Sequence, residues 1–321
     1  MRLILKRLVA LVGRIVLVFI LFRYASTYFF GRKAVTKMTV APVIALSHGG
    51  GPLPILGDPS HKDIVNSLKT RVPKILKLGT PQQPRAIVLI TAHWSTDKPT
   101  ISSAASHKLL YDYYNFPPEA YTLQYPAPGH PDVAQEVKAA LEGQGLEPVL
   151  DAERGWDHGV FIPMLLVNPA ADVPIVQVSV LESEDPDEHL RMGAALAKLR
   201  RENIAIVGSG FASLHNFQAY HELRSGSPDR VKAWTDRIAQ WNRALTEAVG
   251  AESKEERWRG LKGWRELPHA DEMHPPRRGE HFLPLVVCAG AALEGERAGV
   301  YEDEFMEAGI NTYYWGAETV V

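Results

Sequence analysis

The chain has 321 residues, 45% of them hydrophobic and 22% charged, ample for a large core and unlike a disordered or low-complexity protein. One cysteine, Cys288, excludes an internal disulfide framework and a cysteine-based zinc cluster, so with twelve histidines any metal site must use imidazoles and carboxylates. Eight of the 35 basic residues and none of the 37 acidic ones fall within residues 1–38, which leaves the remainder at −10. That sign is wrong for binding nucleic acid, and no recognition motif for DNA or RNA is present.

Residues 1–38 form an apolar, basic segment. Within it, residues 8–30 are apolar apart from Arg14, Arg23 and a few hydroxyls. A spanning helix needs about 20 apolar residues. Arg23 can snorkel to an interface, whereas Arg14, nearer the middle, costs about 2.5–3.5 kcal/mol on insertion scales. The segment reads as a membrane anchor, so membrane association through residues 8–30 is expected. A targeting peptide, with a mitochondrial destination, is the alternative, and a true start at Met38 would leave a cytoplasmic protein.

Residues 39–321 alternate short β-branched runs with amphipathic stretches. The pattern predicts strands at 42–47, 86–92, 173–181 and 204–210, and helices at 61–78, 131–143, 187–202, 230–249 and 283–294. Near-continuous apolar strands separated by helices predict one α/β domain, with a central mixed, mostly parallel sheet covered by helices on both faces. The polar stretch 250–280 is expected to be a helix end and a loop. Cys288, in "LPLVVCAGAA", is expected to be a buried structural thiol.

Ligands of such sheets bind beyond the carboxyl ends of strands. His48 follows the first predicted strand, His93 the second, and His215 the fourth after a short turn. Imidazole is both a common metal ligand and a proton shuttle near neutral pH. The run "SHGGGP" (47–52) lacks the Lys and Ser or Thr of a phosphate loop, so its bare glycines are expected to leave room for a ligand or metal beside His48. Trp94 is expected to wall an apolar pocket next to His93. Asp157 reads locally as a helix cap beside His158. His215 reads as base, ligand or helix-cap chemistry. His281 is expected to open a helix, with Glu280 favoured there by the helix dipole. His61, His107, His130, His189, His221, His269 and His274 lie in polar or turn-rich stretches and are expected at the solvated surface.

Seven motifs occur in order: "SHGGGP", "TAHW" (91–94), "YDYYNFPPEAY" (111–121), "YPAPGHP" (125–131), "DHGVFIP" (157–163), "GSGFASLHN" (208–216) and "GEHFLPL" (279–285). Together they resemble the class III extradiol ring-cleavage dioxygenases of the LigB-type superfamily, in particular the 4,5-DOPA extradiol dioxygenase branch. The resemblance covers about residues 40 to 317, including a closing strand at "GINTYYWG" (309–316). It implies one α/β domain with a mononuclear non-haem metal. By motif, His48 and His93 match two metal-binding histidines. His281 matches the third ligand position, with Glu280 beside it as an alternative. His215 matches a histidine near the metal that serves as base or as an extra ligand. His158 matches a pocket histidine that contacts substrate or oxygen, and Tyr111–Glu119 a segment at the site entrance.

The chemistry so implied is extradiol cleavage of a catechol, DOPA-like or other, by O2. Fe(II) on a three-ligand face leaves positions open for the catechol oxygens and O2. Zinc suits the same nitrogens but cannot exchange electrons with oxygen. The competing readings are a zinc hydrolase and a non-enzymatic binding protein on the same fold.

Overall fold

The structure, a computed structural model, describes residues 40–319. The apolar basic segment, with its expected anchoring or targeting role, lies outside them. Among the described residues no helix is long and apolar enough to cross a membrane.

The strands are β1 (Val43–Ser47), β2 (Ala86–Thr96), β3 (Thr100–Ser102), β4 (Val149–Asp151), β5 (Ile175–Leu181), β6 (Ile204–Gly210), β7 (Gly299–Phe305) and β8 (Ala308–Trp315). They form one sheet in the order β4-β3-β5-β2-β6-β1-β8-β7. Its centre, β5-β2-β6-β1, is parallel, and β8 joins β1 antiparallel. β1, β5 and β6 are buried at every residue, which is why they read as unbroken apolar runs. The edge strand β7 instead alternates, with Tyr301, Asp303 and Phe305 turned inward and Glu302 and Glu304 exposed.

The helices are α1 (Leu53–Leu56), α2 (Lys62–Ile75), α3 (Pro131–Glu142), α4 (His158–Val167), α5 (Pro186–Leu196), α6 (Phe217–Ser225), α7 (Pro228–Gly250), α8 (Lys254–Lys262), α9 (Ala270–Met273) and α10 (Leu283–Ala291). Most carry a polar and an apolar face. α4 and α10 are apolar all round, and both are buried against the sheet. α4 packs on β2 and β6, and α10 on β6, β1 and β2, with α5 laid across α10. Glycine makes that crossing possible. A Cβ at Gly193 would stand 2.1 Å from the Val287 carbonyl oxygen, and one at Gly290 2.4 Å from that of Leu190.

The fold is the expected mixed α/β sheet with helices on both faces. β2 runs on to Thr96, and the helices expected over 61–78 and 283–294 end at Ile75 and Ala291. The helix expected over 187–202 stops at Leu196, and a 3₁₀ turn, Leu199–Glu202, follows. The stretch 250–280 holds α8 and α9 as well as loop, because Ser253 caps α8 through the Glu256 N–H and hides Arg257 and Leu261 beneath it. Cys288 is buried, as expected of a structural thiol, and burial raises its pKa.

Candidate metal centre

Four histidines reach one place from four parts of the chain. His48 continues directly from β1, its N–H bonded to the Gly210 carbonyl at the end of β6. His93 lies within β2, not after it, where the pairing with β5 breaks register between Ile90 and Ser95. His158 is the first residue of α4, and His281 stands two residues before α10. Gly159 keeps the approach open, since a Cβ there would lie 2.9 Å from the His93 ring.

The Nε2 atoms of His48 and His93 are 3.2 Å apart, and those of His93 and His281 3.3 Å. The second nitrogen of each ring is turned to a polar partner. His48 Nδ1 meets the Ser209 hydroxyl at 3.0 Å. That hydroxyl donates to the Gly159 carbonyl, so it accepts from Nδ1–H and leaves Nε2 with a free lone pair. His281 Nδ1 lies 3.0 Å from Glu280, and His93 Nδ1 3.7 Å from Asp112. Burial, reinforced by the neighbouring histidines, holds the pKa of all three far below the ordinary imidazole value. Three neutral rings thus aim lone pairs at a common point.

That arrangement fits a cation. With metal–nitrogen bonds near 2.1 Å, ligands at right angles sit about 3.0 Å apart and tetrahedral ones about 3.4 Å. The observed separations lie between. Without a positive ion, three lone pairs would face one another across a buried gap, which is unfavourable. His48, His93 and His281 can therefore hold a metal.

His215 does not join that group of three. Its ring stacks on His281, centroids 3.4 Å apart and 13° from parallel, and its Nδ1 lies 3.5 Å from the same Glu280 oxygen. Burial, with Arg278 and His158 adding to it, lowers its pKa to about 4. Glu280, an alternative ligand in the sequence, bonds the Nδ1 of His281 and lies near that of His215, which has no hydrogen-bond partner among the described residues.

Asp112 was not singled out by the sequence, although it lies in the "YDYYNFPPEAY" motif. One of its oxygens accepts both the His158 backbone N–H at 2.9 Å and Nδ1–H at 2.8 Å. Burial pushes its carboxyl up, but the His158 and His93 contacts outweigh that and leave it lowered. Nothing local marks Asp112, since its partners are 19 and 46 positions away.

Several expectations are corrected here. Asp157 caps α4 by position only. Its buried carboxylate accepts instead from Thr91, Gln177 and Arg154. Trp94 is buried beneath the Arg154 guanidinium and does not line the cavity. The glycines at 49–51 do line it, and at Gly49 the turn also requires a bare residue. Gly49 has φ +83°, and its Cβ would stand 2.6 Å from Pro54 and 2.8 Å from His61. His61, His189 and His274, expected at the surface, are fully buried. Each binds backbone: His61 accepts from Gly50 N–H, His189 from Leu181 N–H, and His274 donates to Ala212 O. His221 is exposed as expected.

The histidines floor a cavity of about 460 Å³ whose walls are largely apolar, Tyr113 and Phe116 of the expected entrance segment among them. Such volumes suit small organic ligands.

Residues 42–316 match the family described as the catalytic LigB subunit of aromatic ring-opening dioxygenase, and the chain belongs to that family. It is 59% identical over 305 residues to dioxygenase tasH of Hapsidospora irregularis, covering 93% of each chain. It is 31% identical to a 4,5-DOPA dioxygenase extradiol of Beta vulgaris, over 84% of this chain and 92% of that one. A crystal structure of the uncharacterized protein JW3007 from Escherichia coli K12 superposes with a TM-score of 0.63, at 26% identity over 85% of this chain and 99% of that one.

Proposed function

We propose that this chain opens the ring of a catechol with O2, using Fe(II) held by His48, His93 and His281. The observation that carries the reading is the pair of Nε2–Nε2 separations, 3.2 and 3.3 Å, at the floor of an apolar cavity. Iron bound there would supply a face for the catechol oxygens and O2 together and a path for the electrons O2 must receive. Zinc would occupy the same nitrogens without that path, so zinc-loaded protein is expected to bind catechol and consume no oxygen.

The other residues handle protons and position. His215 enters unprotonated at neutral pH and faces the cavity beside the ligand group, so it takes the second phenolic proton and later returns it. Glu280, 3.5 Å from His215 Nδ1, steadies the imidazolium that results. His158, its Nδ1–H committed to Asp112, presents Nε2 to the cavity and contacts the substrate or oxygen. Tyr113 does not compete for these roles. Its hydroxyl donates to the Ala120 carbonyl, and burial pushes its pKa up to about 12. A hydrolase of the thermolysin kind would use a carboxylate base facing the open side, and among the described residues no Asp or Glu lines the cavity.

The test is anaerobic loading with Fe(II), then a catechol panel and air, following oxygen uptake and the yellow ring-opened product. His48→Ala, His93→Ala and His281→Ala are each expected to lose the metal. His215→Ala should keep metal yet lose turnover by about 10²–10⁴-fold. Stoichiometric metal in the His48 and His93 variants would overturn the ligand assignment.

A further inference from the structure

The cavity extends well beyond what a bare catechol would fill, and its outer part has a definite chemistry. α6 follows His215 directly, with Asn216 as its cap. Phe217, Tyr220, His221 and Arg224 all line the cavity, and their spacing puts them on one face of that helix. Arg224 is seven positions beyond Phe217, so the guanidinium-bearing residue stands about 10 Å farther along the helix axis than the residues next to His215. Between them and opposite, the walls are Leu53, Phe211, Phe305 and Met306. Among the described residues no Asp or Glu lines this space.

Arg224 is exposed at the rim and has no ion pair among the described residues. The nearest acid in sequence, Glu222, is held by Arg230. On its outer side Arg224 shares a shallow depression with Lys232 and Glu307, neither of them paired with it.

We propose that the substrate is a catechol bearing an apolar arm that ends in an anionic group, a carboxylate foremost, paired with Arg224. This rests on the catechol-opening reading above. An arm ending in an ammonium would meet an apolar wall and a cation, with no carboxylate to compensate its desolvation. DOPA carries a carboxylate as well, but its ammonium beside the apolar wall costs more than that carboxylate gains at the solvated rim, so the cavity selects against it.

The experiment compares 3-(3,4-dihydroxyphenyl)propionate, 4-propylcatechol, DOPA and dopamine. Anaerobic calorimetric binding to zinc-loaded protein and oxygen uptake by Fe(II)-loaded protein are measured for each. The expected order of affinity is propionate, propylcatechol, DOPA, dopamine. Because the pair sits at a solvated rim, the propionate should lead propylcatechol by a factor of about three to ten. Arg224→Gln should bring that ratio close to one, and Arg224→Glu should place dopamine ahead of the propionate. DOPA or dopamine binding as tightly as the propionate, or a ratio unmoved in both variants, would overturn the inference. If no catechol supports oxygen uptake, the catechol-opening reading fails, and the binding order alone still judges the role of Arg224.

Discussion

At the scale of single residues, the site depends on which nitrogen of each ring faces inward. A histidine offers a lone pair at Nε2 only when its Nδ1 carries the proton, and that proton needs an acceptor. Ser209 serves His48, Glu280 serves His281, and Asp112 stands near His93 while bonding His158 directly. Asp112 is therefore a positioning residue. In Asp112→Asn an amide oxygen replaces the carboxylate, and the charge that fixes the His158 tautomer is gone. Turnover is expected to fall about ten- to hundredfold with metal content retained. Metal analysis beside oxygen uptake checks this. Metal loss as complete as in His93→Ala would mean that Asp112 acts through the ligand instead.

At the scale of elements, the ring positions are only as fixed as the helices and strands that carry them. His48 and His93 ride on β1 and β2, in the buried middle of the sheet, where neighbouring strands clamp both sides. His281 precedes α10, whose place is set by its contact with α5 through Gly193 and Gly290. Gly193→Ala would drive a methyl into the Val287 carbonyl, so the two helices must separate or shift along each other. The expected cost is about 1–3 kcal/mol of stability, read from urea unfolding, with weaker metal binding because His281 moves with α10. An unchanged unfolding midpoint would show that the crossing yields without strain.

At the scale of the whole molecule, buried histidines set the acid limit. His189 is buried with both nitrogens bonded to backbone, and burial lowers its pKa to about 4. Burial takes His274 down to about 3. Unfolded, each would titrate near 6.5. Below that pH the unfolded chain takes up protons that the folded protein refuses. Stability is thus full above about pH 6.5 and falls as the pH drops toward 4, by about 3 kcal/mol for His189 alone. Asp303 acts oppositely: burial raises its pKa to about 6, so it gains a proton, and stability, on the acid side. The histidines of the site outnumber it, and the urea midpoint of metal-free protein is expected to drop between pH 7 and pH 5. A level or rising midpoint would mean the carboxyls prevail.

The sequence by itself determined the central strands and the identities of the converging histidines. Strands buried on both faces must be apolar throughout, and each converging histidine sits in a short motif of consecutive residues. Both features are local. What only the tertiary structure decided is everything that depends on partners far along the chain. Asp112 has no meaning until His158 is folded onto it, 46 positions on. Gly49 reads only as room for a ligand until α1 and its turn bring the ring of His61 against it. His189 and His274 look solvated in sequence because their neighbours are polar, and become buried because backbone groups elsewhere need their nitrogens. The separation of Nε2 atoms, on which the chemistry turns, is set by strand order and by the seat of α10, and both are properties of the assembled fold.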